Sequence, residues 1–430
     1  MKKLIAMIGI GLSPFLIQAQ TGHIMQGIGA TNMSMGGAAT AQPIDISGAL
    51  QWNPASITAI NDKTLSANVG LFFSSPELSS TVPTGPNSSM SGKSKDDRGV
   101  SPMPAVAYKF GKKNSKHHFG ISAFGISGFG VTFNESNTNP INFPQSMGGF
   151  GQIKSDYQLM QVSFTYAVKL CKHLSIGFSP AFNAANLSLS PNPLASPNPY
   201  LGYPKSNKAG ATGWGAQAGI YYQSLKGLKL GVSYKTKQTF KSFNFSNRYL
   251  DGSEAPNVSF KMNYPAIFSV GIGYSNKAID VAADYRTVNY EKTEGFNTKG
   301  WSPTASVNGF GWKNISIVSA GIQYKGVKKI PLRVGYTYSS NPIDPTLAFF
   351  STPATAIIKH AFQLGFGFEL NKKATFNTVY HYGTSGGATK GQILNPMMIS
   401  ETNPYGAIPG SEVSYTMKTS MLMFGITYRL

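Results

Sequence analysis

The chain has 430 residues and a formal net charge of +20, from 37 basic and 17 acidic side chains. Only 13% of the residues are charged, against roughly 25% in an ordinary soluble domain. Large apolar residues are too frequent for a disordered chain. A helical membrane protein needs several apolar runs of about 20 residues, and the sequence has a single, shorter apolar run, at the N-terminus. The composition therefore indicates a large β-rich protein whose surface faces lipid as well as water, which is typical of an outer-membrane barrel.

The first 19 residues have the pattern of a secretory signal peptide. Lys2 and Lys3 precede an apolar stretch from Leu4 to Ile17, and the pattern predicts cleavage before Gln20. The apolar stretch is too short and wrongly flanked for a transmembrane helix. We therefore expect residues 1–19 to be removed on export.

Segments of about ten residues alternate apolar and polar side chains along most of the chain. From Phe362 to Leu370, every second residue is large and apolar. The residues between them are small or polar, namely Gln363, Gly365, Gly367 and Glu369. A period of two places these sets on opposite faces of a sheet. Such segments are the signature of strands that cross a membrane with lipid on one side and water on the other.

Fourteen strands of this kind are predicted, an even number as expected of a single-chain bacterial barrel. They lie near 64–73, 101–110, 117–133, 155–170, 173–189, 213–224, 228–243, 258–274, 278–290, 312–325, 329–339, 357–371, 374–383 and 413–430. The connections alternate between short and long, which is typical of periplasmic turns and extracellular loops. The pattern predicts an all-β transmembrane protein, a 14-stranded antiparallel outer-membrane β-barrel over 64–430 with both termini in the periplasm.

Residues 20–63 lie between the signal peptide and the first strand and do not alternate. Small residues dominate this segment, and short helical stretches are the most that its pattern supports. A segment of this length at the periplasmic end is long enough to fold into the lumen. We therefore predict that 20–63 form a small N-terminal helical hatch, or plug.

Three motifs in this segment carry a resemblance to a known family: Gly36-Gly37-Ala38, Asp45 and Asn53-Pro54-Ala55. Together with the block 262–292, they resemble the FadL-type transporters of long-chain fatty acids and hydrophobic compounds (OmpP1/FadL/TodX-like). The resemblance implies a fourteen-stranded barrel, a hatch, and diffusion of hydrophobic substrates through a sideways opening in the wall. From the residues alone, Asn53 is a favoured helix N-cap and Pro54 fits the first helical position. A structural role and direct ligand contact both remain open for these motifs.

The third predicted strand, 117–133, is a candidate for such an opening. Its apolar residues change parity along the strand, and glycines interrupt it at Gly125, Gly128 and Gly130. Glycine inside a strand often marks a bulge, a bend or a close backbone approach. We predict a kink here that forms a lateral gate, with an ordinary glycine-rich strand packed against the hatch as the alternative.

Apolar residues of the mature N-terminus, of the third predicted strand and of the outer loops are candidates for ligand contact. Candidates for the inner pocket are Ile24, Met25, Ile28, Phe124 and Phe129. Candidates for a first capture site in the outer loops are Ile141, Phe143, Phe150, Tyr200 and Leu201. Exposed apolar clusters often mark ligand or partner surfaces.

Enzyme chemistry finds little support in the sequence. One G-x-S-x-G match exists at residues 383–387, but a nucleophile elbow needs a strand, a sharp turn and a following helix, and a glycine-rich loop follows here. Phosphate-binding loops and zinc-ligand spacings are missing from the sequence, and the basic residues form no nucleic-acid-binding domain. We therefore expect no catalytic residue, cofactor, metal or nucleic-acid partner.

The sequence favours passive uptake of long-chain fatty acids or other hydrophobic small molecules across the outer membrane of a Gram-negative bacterium. The expected route is capture at outer loops, binding in a plugged lumen and lateral release through the kinked third strand. A surface adhesion barrel and a hydrophilic porin are the alternatives. The expected partners besides the hydrophobic ligand are outer-membrane lipid, lipopolysaccharide and the barrel assembly machinery.

Overall fold

In a computed structural model, the structure describes residues 23–60, 63–111 and 115–430. The predicted signal peptide, 1–19, lies outside the described residues. The described chain contains twenty strands. In chain order they are β1 Thr64–Gly85, β2 Ser88–Lys95, β3 Val100–Phe110, β4 His117–Phe133, β5 Ile153–Lys169, β6 Leu174–Ser190, β7 Lys205–Ser206, β8 Ala209–Gln223, β9 Leu228–Lys235, β10 Thr239–Phe240, β11 Phe243–Arg248, β12 Glu254–Phe260, β13 Ala266–Ser275, β14 Ile279–Asn289, β15 Ile315–Tyr324, β16 Leu332–Ser339, β17 His360–Glu369, β18 Ala374–Thr384, β19 Thr389–Gly391 and β20 Glu412–Arg429.

Fourteen of these strands close into one antiparallel barrel: β1, β3, β4, β5, β6, β8, β9, β13, β14, β15, β16, β17, β18 and β20. Each pairs with its neighbour along this series, and β1 pairs with β20 from Thr64↔Arg429 to Thr81↔Glu412. The predicted fourteen-stranded barrel is thereby confirmed. Closure removes the two edges that an open sheet would have, which is the condition for a sheet to stand in lipid. No helix among the described residues is long and apolar enough to cross a membrane.

The alternating side chains face opposite sides of the barrel wall. Leu364 is 69% exposed on the outside, whereas its neighbour Gln363 is 2% exposed in the lumen. Asp284 and Arg286 on β14 are likewise buried inside the barrel. A lysine or arginine on the lipid face near the midplane costs about 2–4 kcal/mol, so the wall directs its charges inward.

The long-loop end is more structured than the sequence pattern predicts. Strand β1 continues to Gly85 and pairs with β2 as a hairpin, in a region predicted to be a loop. Strands β7, β11 and β12 form a separate three-stranded sheet. The predicted strand 228–243 is interrupted after Lys235, and β10 pairs with β8 beyond the break. Short 3-10 helices occur in this end at Pro140–Asn142, Gln145–Met147, Pro345–Ala354 and Pro396–Met398.

The segment before β1 is packed inside the barrel. It contains the helices α1 Ala30–Ser34 and α2 Ile46–Trp52 and the 3-10 helix Pro54–Ala59, and nearly all of its described side chains are buried. We call residues 23–60 the hatch. The hatch contacts many barrel strands, among them β5, β6, β8, β17 and β18.

Candidate functional site

A buried ion pair anchors the hatch to the barrel wall. The Asp284 carboxylate accepts hydrogen bonds from the backbone N–H groups of Ala39 (2.8 Å) and Thr40 (2.9 Å) and from the Thr40 hydroxyl (2.8 Å). Arg286 pairs with Asp284 and donates to the Gly37 carbonyl at 2.7 Å. Its guanidinium also lies 3.7 Å from the ring centre of Trp52. Because both charges are buried, each depends on the other and on these hatch contacts.

The hatch motifs found in the sequence determine how its chain turns. Gly36 and Gly37 have φ values of 67° and 75°, a region that favours glycine. Asp45 caps α2 by accepting from the Gly48 N–H at 3.1 Å. Burial raises the pKa of Asp45 to about 6, although this hydrogen bond and Arg333 act in the opposite direction.

Asn53 links the hatch to the wall. Its side-chain amide donates to the carbonyls of Thr40 (2.8 Å) and Ile220 (3.0 Å), and its oxygen accepts from the Ala55 N–H at the start of the 3-10 helix that begins with Pro54. All of these contacts are made within the protein. The structure therefore accounts for Asn53, Pro54 and Ala55 by helix capping and anchoring.

Inward-facing glycines of the barrel let the hatch backbone lie directly against the wall. A Cβ atom at Gly231 would stand 2.0 Å from the Thr40 carbonyl oxygen, and one at Gly335 would stand 2.1 Å from the Gly36 nitrogen. The same holds for glycines on other strands, namely Gly177, Gly271 and Gly321. These glycines are a signal that the sequence contains and that pattern analysis of the strands overlooks.

The pairing between strands β3 and β4 ends part-way along the barrel wall. Pairing between them runs from Phe110↔Phe119 to Ala105↔Phe124 and ends there among the described residues. A bulge follows between Gly125 and Ser127 in the pairing with β5. An isolated bridge, Asp96↔Phe133, closes the far end of the gap. The wall therefore has a window, which we define as the space between residues 100–104 of β3 and 125–130 of β4.

The start of the hatch takes the place of the missing partner strand. Ile24 forms an isolated bridge with Ser127. The Met25 N–H donates to the Ile126 carbonyl at 3.1 Å, and the Gly128 N–H donates to the His23 carbonyl at 3.2 Å. Backbone groups freed by the kink are thus satisfied by the hatch instead of by water.

A cavity of about 350 Å³ lies between the window and the hatch. His23, Ile24 and Met25 border it on the inside, and Met103 and Met160 border it at the wall. Met160 is 37% exposed on the outer face, whereas Ile24 is buried. The cavity therefore reaches from the hatch to the lipid-facing side of the barrel.

His23 closes one side of this cavity within a cluster of aromatic rings. Its ring is stacked on Phe296 with 4.8 Å between centroids, and its Nδ1 lies 2.9 Å from the Tyr290 hydroxyl. Phe129 and Trp312 also contact it. Burial lowers the pKa of His23 to about 3, so the imidazole is neutral at physiological pH.

The predicted inner-site residues divide into two groups. Those that border the cavity are Ile24, Met25, Gly125, Gly128, Phe129 and Gly130. Ile28 and Phe124 are buried in the core and do not border it. Sequence reasoning missed Met103, Tyr157 and Met160, because outward strand residues such as Met160 look like ordinary lipid contacts until the window is known.

A second, smaller cavity of about 60 Å³ lies among the long loops. Ile141 and Phe150 border it as predicted for capture, whereas Phe143, Tyr200 and Leu201 do not. Its other borders come from distant loops and were missed, including Trp301, Phe349 and Phe350. The helix Pro345–Ala354 contributes to this cavity, and the next residues, Thr355 and Ala356, border the larger one.

The serine of the G-x-S-x-G match is held within its own loop. The Ser385 hydroxyl donates to the Gly387 carbonyl at 2.7 Å and accepts from the Met417 N–H at 3.1 Å. Extended β18 precedes it, and β19 follows instead of a helix. Among the described residues, no group of three or more metal-binding side chains comes together.

The amino-acid sequence shows to which family the chain belongs. Residues 18–430 match the family model described as outer membrane protein transport protein (OMPP1/FadL/TodX). The chain belongs to this family. Members of the OMPP1/FadL/TodX family are outer-membrane transport channels for hydrophobic compounds and not enzymes. A search of curated protein sequences returned no match.

Solved structures show the same fold at low sequence identity. A Pseudomonas aeruginosa FadL homologue has a TM-score of 0.71 at 14% identity, with 95% of this chain and 100% of that chain covered. The P. putida toluene transporter TodX has a TM-score of 0.68 at 16% identity, with 94% and 99% covered. The Ralstonia pickettii toluene transporter TbuX has a TM-score of 0.61 at 17% identity, with 94% and 99% covered.

Proposed function

We propose that this OMPP1/FadL/TodX-family barrel takes up long-chain fatty acids or other hydrophobic small molecules and releases them sideways into the membrane through the window between β3 and β4. The cavity behind that window is the observation that carries the proposal. It touches the hatch on one side and lipid-facing Met160 on the other. A molecule that leaves by this route never has to cross a water-filled pore.

The two cavities support an ordered route. Phe349 and Phe350 border the outer cavity, and Thr355 and Ala356 border the inner one. The short segment 349–356 therefore connects the outer cavity, where we propose capture, to the inner cavity, where we propose binding. Burial of apolar surface contributes roughly 25 cal/mol per Å², so the apolar borders of both cavities favour contact with an apolar ligand. Passive transfer needs no cofactor along this path.

The same proposal assigns the short turns and both termini to the periplasm. Single-chain bacterial barrels have short periplasmic turns and long extracellular loops. In this orientation the outer cavity faces the medium, and the hatch joins β1 on the periplasmic side while its first described residues lie deeper in the lumen, beside Ser127 of β4. Lipopolysaccharide then surrounds the long-loop end, and the barrel assembly machinery inserts the chain from the periplasm.

Filling the window tests the route. A Cβ atom added at Gly125 meets only ordinary contacts, with Met160 Sδ at 3.7 Å and Met103 Cε at 3.8 Å. We expect Gly125→Phe to fill the window and reduce uptake about tenfold or more. Uptake is measured with radiolabelled oleate and toluene in cells that lack other such transporters.

The matched control is Gly210→Phe, which places the same ring on the outside of β8, where pairing with Asn186 is intact. This variant should transport like the unmodified protein. Equal uptake by both variants, with equal amounts of folded barrel in the membrane, would rule out release through the window. Loss of only one of the two labelled compounds would identify the preferred substrate.

A further inference from the structure

The short-turn end of the barrel has a distinct distribution of charge. Every short turn carries an exposed lysine, and an exposed arginine lies beside the C-terminus. We define the turn rim as Lys63, Lys116, Lys172, Lys226, Lys277, Lys325, Lys328, Lys329, Lys372, Lys373 and Arg429. These residues come from all parts of the chain, and the barrel arranges them as a ring.

Few carboxylates accompany this ring. In the described part of the short-turn end, Asp280 and Glu369 are the acidic residues, and Asp280 is already paired with Lys325 at 2.9 Å. The long-loop end differs, because several of its basic residues lie in ion pairs. Examples are Lys93–Glu77, Arg98–Asp156, Lys237–Glu294, Lys313–Asp344 and Lys390–Glu412. Among the described residues, most of the positive charge of the turn rim therefore has no carboxylate partner.

Exposed apolar side chains stand beside these lysines. Leu225, next to Lys226 at the tip of its turn, is 91% exposed. Leu370 and Leu430 are more than half exposed next to the turn rim as well. Leucine at a turn tip is unfavourable in bulk water, whereas the boundary between acyl chains and headgroups accommodates it.

We infer that the turn rim binds the headgroups of anionic phospholipids in the leaflet that it faces. A lipid supplies both kinds of contact at once, since its acyl chains cover Leu225 and Leu370 while its phosphate meets the adjacent lysines. Lysine stems extend along apolar surface and place the ammonium at the level of the phosphates. An acidic soluble protein would satisfy the charges and leave the leucines uncovered.

Lipid retention by the purified full-length barrel tests this inference. The protein is equilibrated in detergent micelles that contain tritiated phosphatidylglycerol or phosphatidylcholine and is separated by gel filtration. The intact protein should retain phosphatidylglycerol over phosphatidylcholine. In 1 M NaCl, where the screening length is about 3 Å, the preference should disappear.

A six-lysine variant removes charge from the turn rim, and a matched variant removes the same charge from the long-loop end. The rim variant replaces with glutamine Lys116, Lys172, Lys226, Lys277, Lys328 and Lys372. The control replaces with glutamine the exposed Lys95, Lys205, Lys241, Lys261, Lys292 and Lys299. Retention of phosphatidylglycerol should fall about fivefold or more in the rim variant and stay unchanged in the control.

Two results would overturn the inference. One is equal phosphatidylglycerol retention by the rim variant and the intact protein, which would leave a water-soluble anionic partner as the ligand of the turn rim. The other is equal retention of the two lipids by the intact protein. Heat-modified mobility on gels verifies that both variants are folded barrels, so a loss of retention is not a loss of structure.

Discussion

Asp284 is the residue on which the position of the hatch depends most directly. Its carboxylate binds Ala39, Thr40 and Arg286 at once. In Asp284→Asn, the buried Arg286 loses its counter-charge, and breaking a buried pair in this way costs about 3–5 kcal/mol. We expect the hatch to loosen while the barrel stays closed, and the conductance in planar bilayers to rise severalfold. Asp251→Asn, in an exposed loop, is the control, and equal conductance of the two variants would contradict the expectation.

His23 gives the hatch a dependence on pH. Burial lowers its pKa to about 3, against about 6.5 in an unfolded chain. Its contribution to stability is therefore complete above pH 6.5 and is lost as the pH falls towards 3. His23→Phe keeps the stacking on Phe296 and removes the titration, so the melting temperature should fall less between pH 7 and pH 4.

The difference in pH dependence between the unmodified protein and His23→Phe reports on His23 and not on other titrating groups. Burial raises the pKa of Asp45 to about 6, so its contribution to stability is lost as the pH rises through 6, opposite to that of His23. Asp45 is present in both proteins, and its effect cancels in the difference. Identical pH profiles for the two would show that His23 is not the group that responds.

At the scale of elements, periodicity predicts the barrel strands well and the loop structure poorly. Lipid and lumen impose a period of two on every wall strand, and the predicted 374–383 lies within one residue of β18. Strand β2 and the sheet of β7, β11 and β12 are under no such constraint, because both faces of these elements meet protein or water. The glycines of β4 indicated a kink, but its partner, the hatch residue Ile24, lies a hundred residues away.

The helix Pro345–Ala354 is the element whose contribution to capture is most accessible to mutation. Phe350 packs edge-on against Trp301 with 5.0 Å between centroids and borders the outer cavity. Phe350→Ala should weaken capture and raise the half-saturating ligand concentration about tenfold, because the ligand loses apolar contact area that contributes roughly 25 cal/mol per Å². The maximal uptake rate should not change, because the window is intact.

The control for this element is Tyr200→Ala, which removes a 95% exposed ring from a neighbouring loop without touching the cavity. Uptake curves over a range of oleate concentrations separate the two effects. A lower maximal rate with an unchanged half-saturating concentration in Phe350→Ala would contradict a role in capture.

At the scale of the whole molecule, the contacts that close the barrel are largely distinct from those that hold the hatch in the lumen. Each wall strand pairs with its neighbours round the barrel, from β1 to β20, and a hatch residue enters this pairing at the window, where Ile24 bridges Ser127. The hatch fills the lumen through contacts such as Asp284 with Thr40 and Gly335 with Gly36. The sequence could indicate both parts, but only the fold shows that inward glycines shape the lumen to the hatch.

Deletion of residues 20–50 should therefore leave a folded barrel with a changed permeability. Without Ile24 and Met25 the inner wall of the cavity is lost, so oleate uptake should fall, while the emptied lumen should admit sugars in liposome swelling. Deletion of residues 396–405 shortens an outer loop and leaves the hatch in place, so sugars should stay excluded. A hatch deletion that still excludes sugars would mean that the long loops close the lumen by themselves, and retained oleate uptake would remove the hatch from the transport path.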